Sequence, residues 1–129
     1  MKRLSIIIAF LIGLFQFASA SVTKAEADKD YQENKFADAI EKYEAILASE
    51  GESADIYYNL GNSYYKNKNI AKAVLNYERA LLMNPGDADI RFNLEMARSK
   101  QLIRLLLQVS FIVTWVNQLT NCMSESGWG

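Results

Sequence analysis

Residues 54–87 read ADIYYNLGNSYYKNKNIAKAVLNYERALLMNPGD, and the spacing inside this stretch decides the fold. Its first half sets Tyr57, Leu60, Gly61 and Tyr64 on one helical face, and its second half sets Ile70, Ala73, Val74, Tyr77 and Leu81 on another. Between them, Asn67-Lys68-Asn69 is a short polar turn suited to two antiparallel helices. Pro85 ends the second helix, because its ring removes an N–H and disfavours helical backbone at Asn84 before it. Moving outward, the chain repeats itself at an offset of 34 residues. Ala27, Tyr31, Phe36, Ala39, Tyr43 and Leu47 fall on Gly61, Tyr65, Ile70, Ala73, Tyr77 and Leu81. Ala54-Asp55-Ile56 and Tyr58-Asn59-Leu60 fall in turn on Ala88-Asp89-Ile90 and Phe92-Asn93-Leu94. Two independent matches at one offset mark an internal repeat.

The pattern predicts helices over 22–34, 37–49, 54–67, 70–83 and 87–100, the last capped by Asp87. No strand-like alternation appears. In the unit starting at Ala54, the residues Tyr57, Leu60, Gly61, Tyr64, Ala73, Tyr77, Ala80 and Pro85 resemble the tetratricopeptide (TPR) signature, with Tyr in place of Trp and Phe. Small Gly61 and Ala73 suit the place where two helices of a unit cross, Tyr64 and Tyr77 fill the space beside them, and Ala80 admits the next unit. The expected fold is all-α: a TPR helix-turn-helix solenoid of about two and a half repeats plus a C-terminal helix. A stack of so few repeats needs a cover for its last helix, and residues 102–119 are the candidate.

Composition narrows the chemistry. The 129 residues are 50% apolar, carry net charge −1, and include one cysteine and no histidine. Without imidazole, the common zinc sites and Ser-His or Cys-His nucleophile systems cannot be built in one chain. The near-neutral balance argues against nucleic acid as a partner, since that calls for a clustered basic excess. Paired acids such as Asp87 with Asp89 or Glu50 with Glu52 sit at a helix start and in a turn, where they favour the helix dipole. A non-catalytic module without metal or cofactor is therefore expected.

The first twenty residues read as an export address: basic Lys2 and Arg3, an apolar run, then Ala18-Ser19-Ala20. Ala18 and Ala20 fit the small-x-small pattern of signal cleavage, which predicts a signal peptide over 1–20 and a TPR domain over 21–100. No cysteine stands near position 20, which excludes a lipoprotein. Residues 101–129 form an apolar, amphipathic segment. Leu102, Leu106, Val109, Val113 and Val116 mark one face, and Ser110, Thr114, Asn117 and Asn121 form a narrow polar strip. The apolar stretch 105–116 measures about 18 Å as a helix, short of a bilayer core of about 30 Å. A cover helix, an interfacial helix and a partner-binding helix all fit it.

Beyond the repeats, the chain resembles the TPR proteins of the Bat aerotolerance operons of Bacteroidetes. The likeness rests on the leader, Leu60-Gly61-Asn62-Ser63-Tyr64-Tyr65, Asn76-Tyr77-Glu78-Arg79-Ala80-Leu81, Asp89-Ile90-Arg91-Phe92-Asn93-Leu94-Glu95, Val113-Thr114-Trp115 and Met123-Ser124. The resemblance implies a cell-envelope protein, periplasmic or membrane-anchored, with partners that carry von Willebrand A domains and a link to oxidative stress. On the same likeness, the chain stops where the family enters its first transmembrane helix, so a truncated parent is expected. Gln101-Leu102-Ile103-Arg104-Leu105-Leu106 departs from the family's polar Thr-Ile-Asp-Lys-Ile-Thr at this place. Loss of one base from codons for that polar run converts it to the run present here. A local frameshift, restored before Val113, is therefore expected, with no function for the apolar stripe at 102–107.

Binding is expected on the concave face, lined by the first helix of each unit. Its candidate contacts are Tyr58, Asn59, Asn62 and Tyr65 from the middle unit, and Phe92 and Asn93 from the third. Lys66, Asp89, Met96 and Lys100 extend them, and Lys24, Asp28, Tyr31 and Gln32 join from the first unit. Asn amides suit a peptide backbone, and aromatic rings supply contact area at low entropy cost. Tyr31, Tyr65 and Phe92 are expected to serve mostly in packing between helices. Chaperone adaptors of this repeat family clamp a C-terminal carboxylate with Lys and Asn; here Lys24 and Asn59 fit, but Asp28, Asp89 and Asn93 do not. The expected function is capture of a partner protein or peptide in the cell envelope. The alternative is a self-associating or membrane-surface subunit that uses the C-terminal segment.

Overall fold

A computed structural model describes residues 22–125. The expected leader, with Ala18 and Ala20 at its cleavage site, lies outside the described residues. Among those described there are five α-helices and no strand: α1 Lys24–Gln32, α2 Phe36–Glu50, α3 Ala54–Lys66, α4 Ile70–Met83 and α5 Ala88–Glu125. Each helix packs on the next, and α1 also touches α3. That is the helical-repeat solenoid expected from the 34-residue offset.

The offset recurs in the turns and the core. Both helix pairs are joined by the same C-terminal motif, with Asn34 at φ 62° and Lys68 at φ 65° in the left-handed region. In the first, the N–H groups of Asn34 and Lys35 donate to the carbonyls of Tyr31 and Asp30; in the second, Lys68 and Asn69 donate to Tyr65 and Tyr64. Each turn thereby satisfies carbonyls that the helix end leaves open. Helix starts are equally deliberate. Thr23 and Glu26 form a reciprocal capping box on α1, and Asp87 Oδ1 accepts from the N–H groups of Asp89 and Ile90. Ala27, Ala39, Tyr43, Leu60, Ala73, Tyr77, Leu94 and Ala97 are buried in the core, spaced as the periodicity requires.

Gly61 sets the distance between α3 and α4. A Cβ there would stand 2.7 Å from the Tyr77 ring. One repeat earlier the same place holds Ala27, fully buried, and one repeat later it holds Glu95, exposed. Glu95 is exposed, and among the described residues no helix crosses α5 on that side.

The separate cover helix expected over 102–119 does not form as such. That segment continues α5 without a break, since no Gly or Pro interrupts residues 87–126. Leu102, Leu106, Phe111, Val113 and Trp115 are all more than half exposed. By sequence, residues 105–124 carry no charge, a run of about 30 Å as a helix. By length and composition, the helix over Ala88–Met123 is able to cross a membrane, a longer reach than the stretch 105–116 indicated.

Candidate functional site

Helices α1, α3 and α5 present one face each to a common concave surface, and residues 34 apart form rows across it. One row runs Lys24, Tyr58, Phe92, and its neighbour runs Asp28, Asn62, Met96. At the α1 end of these rows lies a cavity of about 320 Å³, lined by Lys24, Asp28, Tyr31, Gln32, Tyr43, Asp55, Asn59 and Asn62. The structure thus brings together Lys24, Asp28, Tyr31, Gln32, Asn59 and Asn62, as the sequence led one to expect.

The charges in this cavity are already engaged. Lys24 Nζ lies 3.0 Å from Asp28 Oδ2 and 3.2 Å from Asp55 Oδ2. Its bond to Asp28, reinforced by Asp55, holds the ammonium pKa above its ordinary value despite partial burial. Two carboxylates share one cation, so the trio carries net charge −1. An anionic ligand would meet repulsion here, which agrees with the sequence argument against a carboxylate clamp.

Three of the expected contacts, Tyr58, Asn62 and Asn93, have internal duties. Tyr77 Oη donates to Asn62 Oδ1 at 2.7 Å, and Asn93 Nδ2 donates to Asn62 Oδ1 and to Tyr58 Oη, both at 3.0 Å. This network ties α3, α4 and α5 together beneath the groove. The same bond exists one repeat earlier, where Tyr43 Oη donates to Asp28 Oδ1. Burial, then the Asp28 carboxylate, pushes the Tyr43 hydroxyl pKa far up, and burial does the same at Tyr77, beside Tyr58. The sequence reading missed this pairing, although Asp28 with Tyr43 and Asn62 with Tyr77 stand at equivalent positions of the repeat.

The remaining contacts differ in accessibility. Asn59 is half-buried in the cavity wall. Tyr31 and Tyr65 are half-buried; Tyr31 meets Phe36 edge-on at 5.5 Å, and Lys100 lies over the Tyr65 ring at 4.7 Å. Phe92 departs from the packing expectation, because it is 66% exposed, with Met96 exposed one turn further along. The groove therefore grades from charged at α1 to apolar at α5.

Residues 54–87 match the model of the tetratricopeptide repeat, and residues 27–68 match that of a TPR repeat. A search among curated proteins found no match. Such repeats are typically non-catalytic scaffolds that bind other proteins or peptides. With the helix order, the 34-residue equivalences and the doubled turn motif, these matches show that the chain carries tetratricopeptide repeats across residues 27–87.

Proposed function

We propose that this protein captures a partner protein in the cell envelope, holding an extended segment of it in the groove of α1, α3 and α5. The observation that carries this reading is the exposed Phe92 beside Met96, in the row that also holds Lys24 and Tyr58. Exposed aromatic residues beside an amide-lined cleft are what a peptide needs for area and backbone bonding. The partner presents a polar or basic residue toward Asp28 and Asp55, and an apolar one toward Phe92. The leader-like residues 1–20 support an exported location. The resemblance to the Bat proteins supports a membrane partner with a von Willebrand A domain and a role in aerotolerance.

Asn62 is a poor probe of this site, since its loss would also undo the bonds from Tyr77 and Asn93. Asn59→Ala combined with Phe92→Ala is cleaner. The double variant should lose capture of its partner from an envelope extract while melting near the wild-type temperature. Full capture by the double variant would remove the groove assignment.

A second reading has its own observation in the exposed apolar surface of α5. It makes the protein a self-associating or membrane-surface subunit that uses residues 102–119. Size-exclusion chromatography and flotation with phospholipid vesicles test it. A monomer that stays with the aqueous fraction sinks it.

A further inference from the structure

On the face opposite the concave surface, three helical stripes enclose a second groove of about 360 Å³. Helix α2 contributes Glu44, Leu47 and Ala48; α3 contributes Tyr57, Leu60 and Tyr64; and α4 contributes Lys72, Leu75, Asn76 and Arg79. The α4 residues stand at i, i+3, i+4 and i+7, a single helical face. Tyr57 and Tyr64, about 10.5 Å apart along α3, mark the two ends. Arg79 lies over the Tyr57 ring at 5.5 Å, and Lys72 over Tyr64 at 5.0 Å. Their hydroxyls are engaged by Glu52 and Glu44.

Asn76 is the anomaly. It is 4% exposed, and its Nδ2 donates to the Lys72 carbonyl at 2.8 Å, but its Oδ1 has no hydrogen-bond partner among the described residues. A buried amide oxygen left unpaired is costly, and native structures rarely retain one without a use. One N–H of the amide already serves the Lys72 carbonyl, and the oxygen is the atom left with no partner at all. Leucine side chains from all three helices make the rest of the wall apolar. Lys72 and Arg79 balance Glu44 and Glu52 at the groove's ends, so no charge excess favours a cationic donor such as lysine or arginine.

We propose that this groove is a second binding site, which takes a tryptophan side chain of a partner protein, its indole N–H donating to Asn76 Oδ1. Indole is a large apolar body with one donor and no acceptor, matching the apolar walls and the single unpaired oxygen. Its π face suits the nearby Lys72 and Arg79. This site lies apart from the concave groove and does not depend on that assignment.

The test is titration of the full-length chain with indole and with N-methylindole, which keeps the ring system but carries a methyl group in place of the N–H proton, followed by NMR. Indole should shift the Asn76 side-chain amide together with the methyl groups of Leu47 and Leu75. N-methylindole should bind about fivefold more weakly, the worth of one neutral hydrogen bond. Asn76→Leu should bring the two ligands to equal affinity and should raise the melting temperature, since it removes an unpaired buried oxygen. Equal affinity of the two ligands for the wild type would overturn the proposal. So would shifts confined to other surfaces, or a fall in melting temperature with Asn76→Leu, which would make Asn76 a structural residue alone.

Discussion

Gly61 and Tyr77 share one space, and the size of each depends on the other. The ring stands 2.7 Å from where a Cβ at Gly61 would be, and Tyr77 is only 1% exposed, so it has little room to retreat. Gly61→Ala should therefore lower stability by about 1–3 kcal/mol, the usual cost of overpacking a tight core, measured by chemical denaturation. The hydroxyls of Tyr77 and Tyr43 supply a second test. Both have folded-state pKa values raised above the ordinary tyrosine value of about 10. Below pH 10 the folded and unfolded states both keep these protons. Above it the unfolded chain loses them first, so stability should fall as pH rises, by up to about 1.4 kcal/mol per pH unit for each tyrosine. Tyr77→Phe should flatten that decline and cost about 1 kcal/mol at neutral pH through the lost bond to Asn62. A decline as steep as the wild type's would assign it to other groups. The need for a small residue at 61 was legible, because the glycine lies inside an apolar helical pattern where propensity alone would disfavour it. The Tyr77–Asn62 bond was not, because an asparagine on a half-exposed face looks the same whether it meets water or a buried hydroxyl.

Helix boundaries were legible wherever the chain carries a local stop. Asn34 and Lys68 sit in left-handed conformations that end α1 and α3, and the polar turn Asn67-Lys68-Asn69 advertised the second. Pro85 and Asp87 similarly separate α4 from α5. Past Asp87 no such signal exists, and α5 runs for 38 residues. An apolar stretch after a repeat invites the inference of a cover helix, but covering requires a turn back, and nothing near residue 101 makes one. Glu95, standing where Gly61 stands in the preceding unit, already argued against a helix crossing α5 as α4 crosses α3. The distal half of α5 has a separate test in the gene. If codons 100–106 convert to a polar reading by insertion of one base, the apolar stripe at 102–107 is an accident of reading frame. The membrane and self-association reading then loses its surface. If no single insertion restores a polar run, the frameshift explanation fails and the 20 uncharged residues at 105–124 stand as a designed feature.

Across the whole molecule, the repeat lays unlike chemistry on equivalent positions. Lys24, Tyr58 and Phe92 occupy one row, and Asp28, Asn62 and Met96 the next, so a groove built by identical geometry changes from ionic to apolar along its length. The stack positions each helix through its buried side, which leaves the concave side free to vary; that is why its location was readable and its division of labour was not. The ionic end sets the sign of what it accepts. Asp28 and Asp55 hold Lys24 between them, leaving one negative charge in excess, and a ligand carboxylate would have to approach against it. Asp28→Asn with Asp55→Asn reverses the balance to one positive charge and keeps an oxygen at position 28 to accept from Tyr43. The double variant should then bind a fluorescein-labelled peptide with an acidic C-terminus at least about tenfold more tightly than the wild type does. That follows from removing two repulsions of about 1 kcal/mol or more each at short range, and the gain should shrink as salt is added. Fluorescence anisotropy at low ionic strength measures it. Equal binding by the two proteins would mean that Lys24 is available to ligands despite its neighbours, and that the groove does not select against anions.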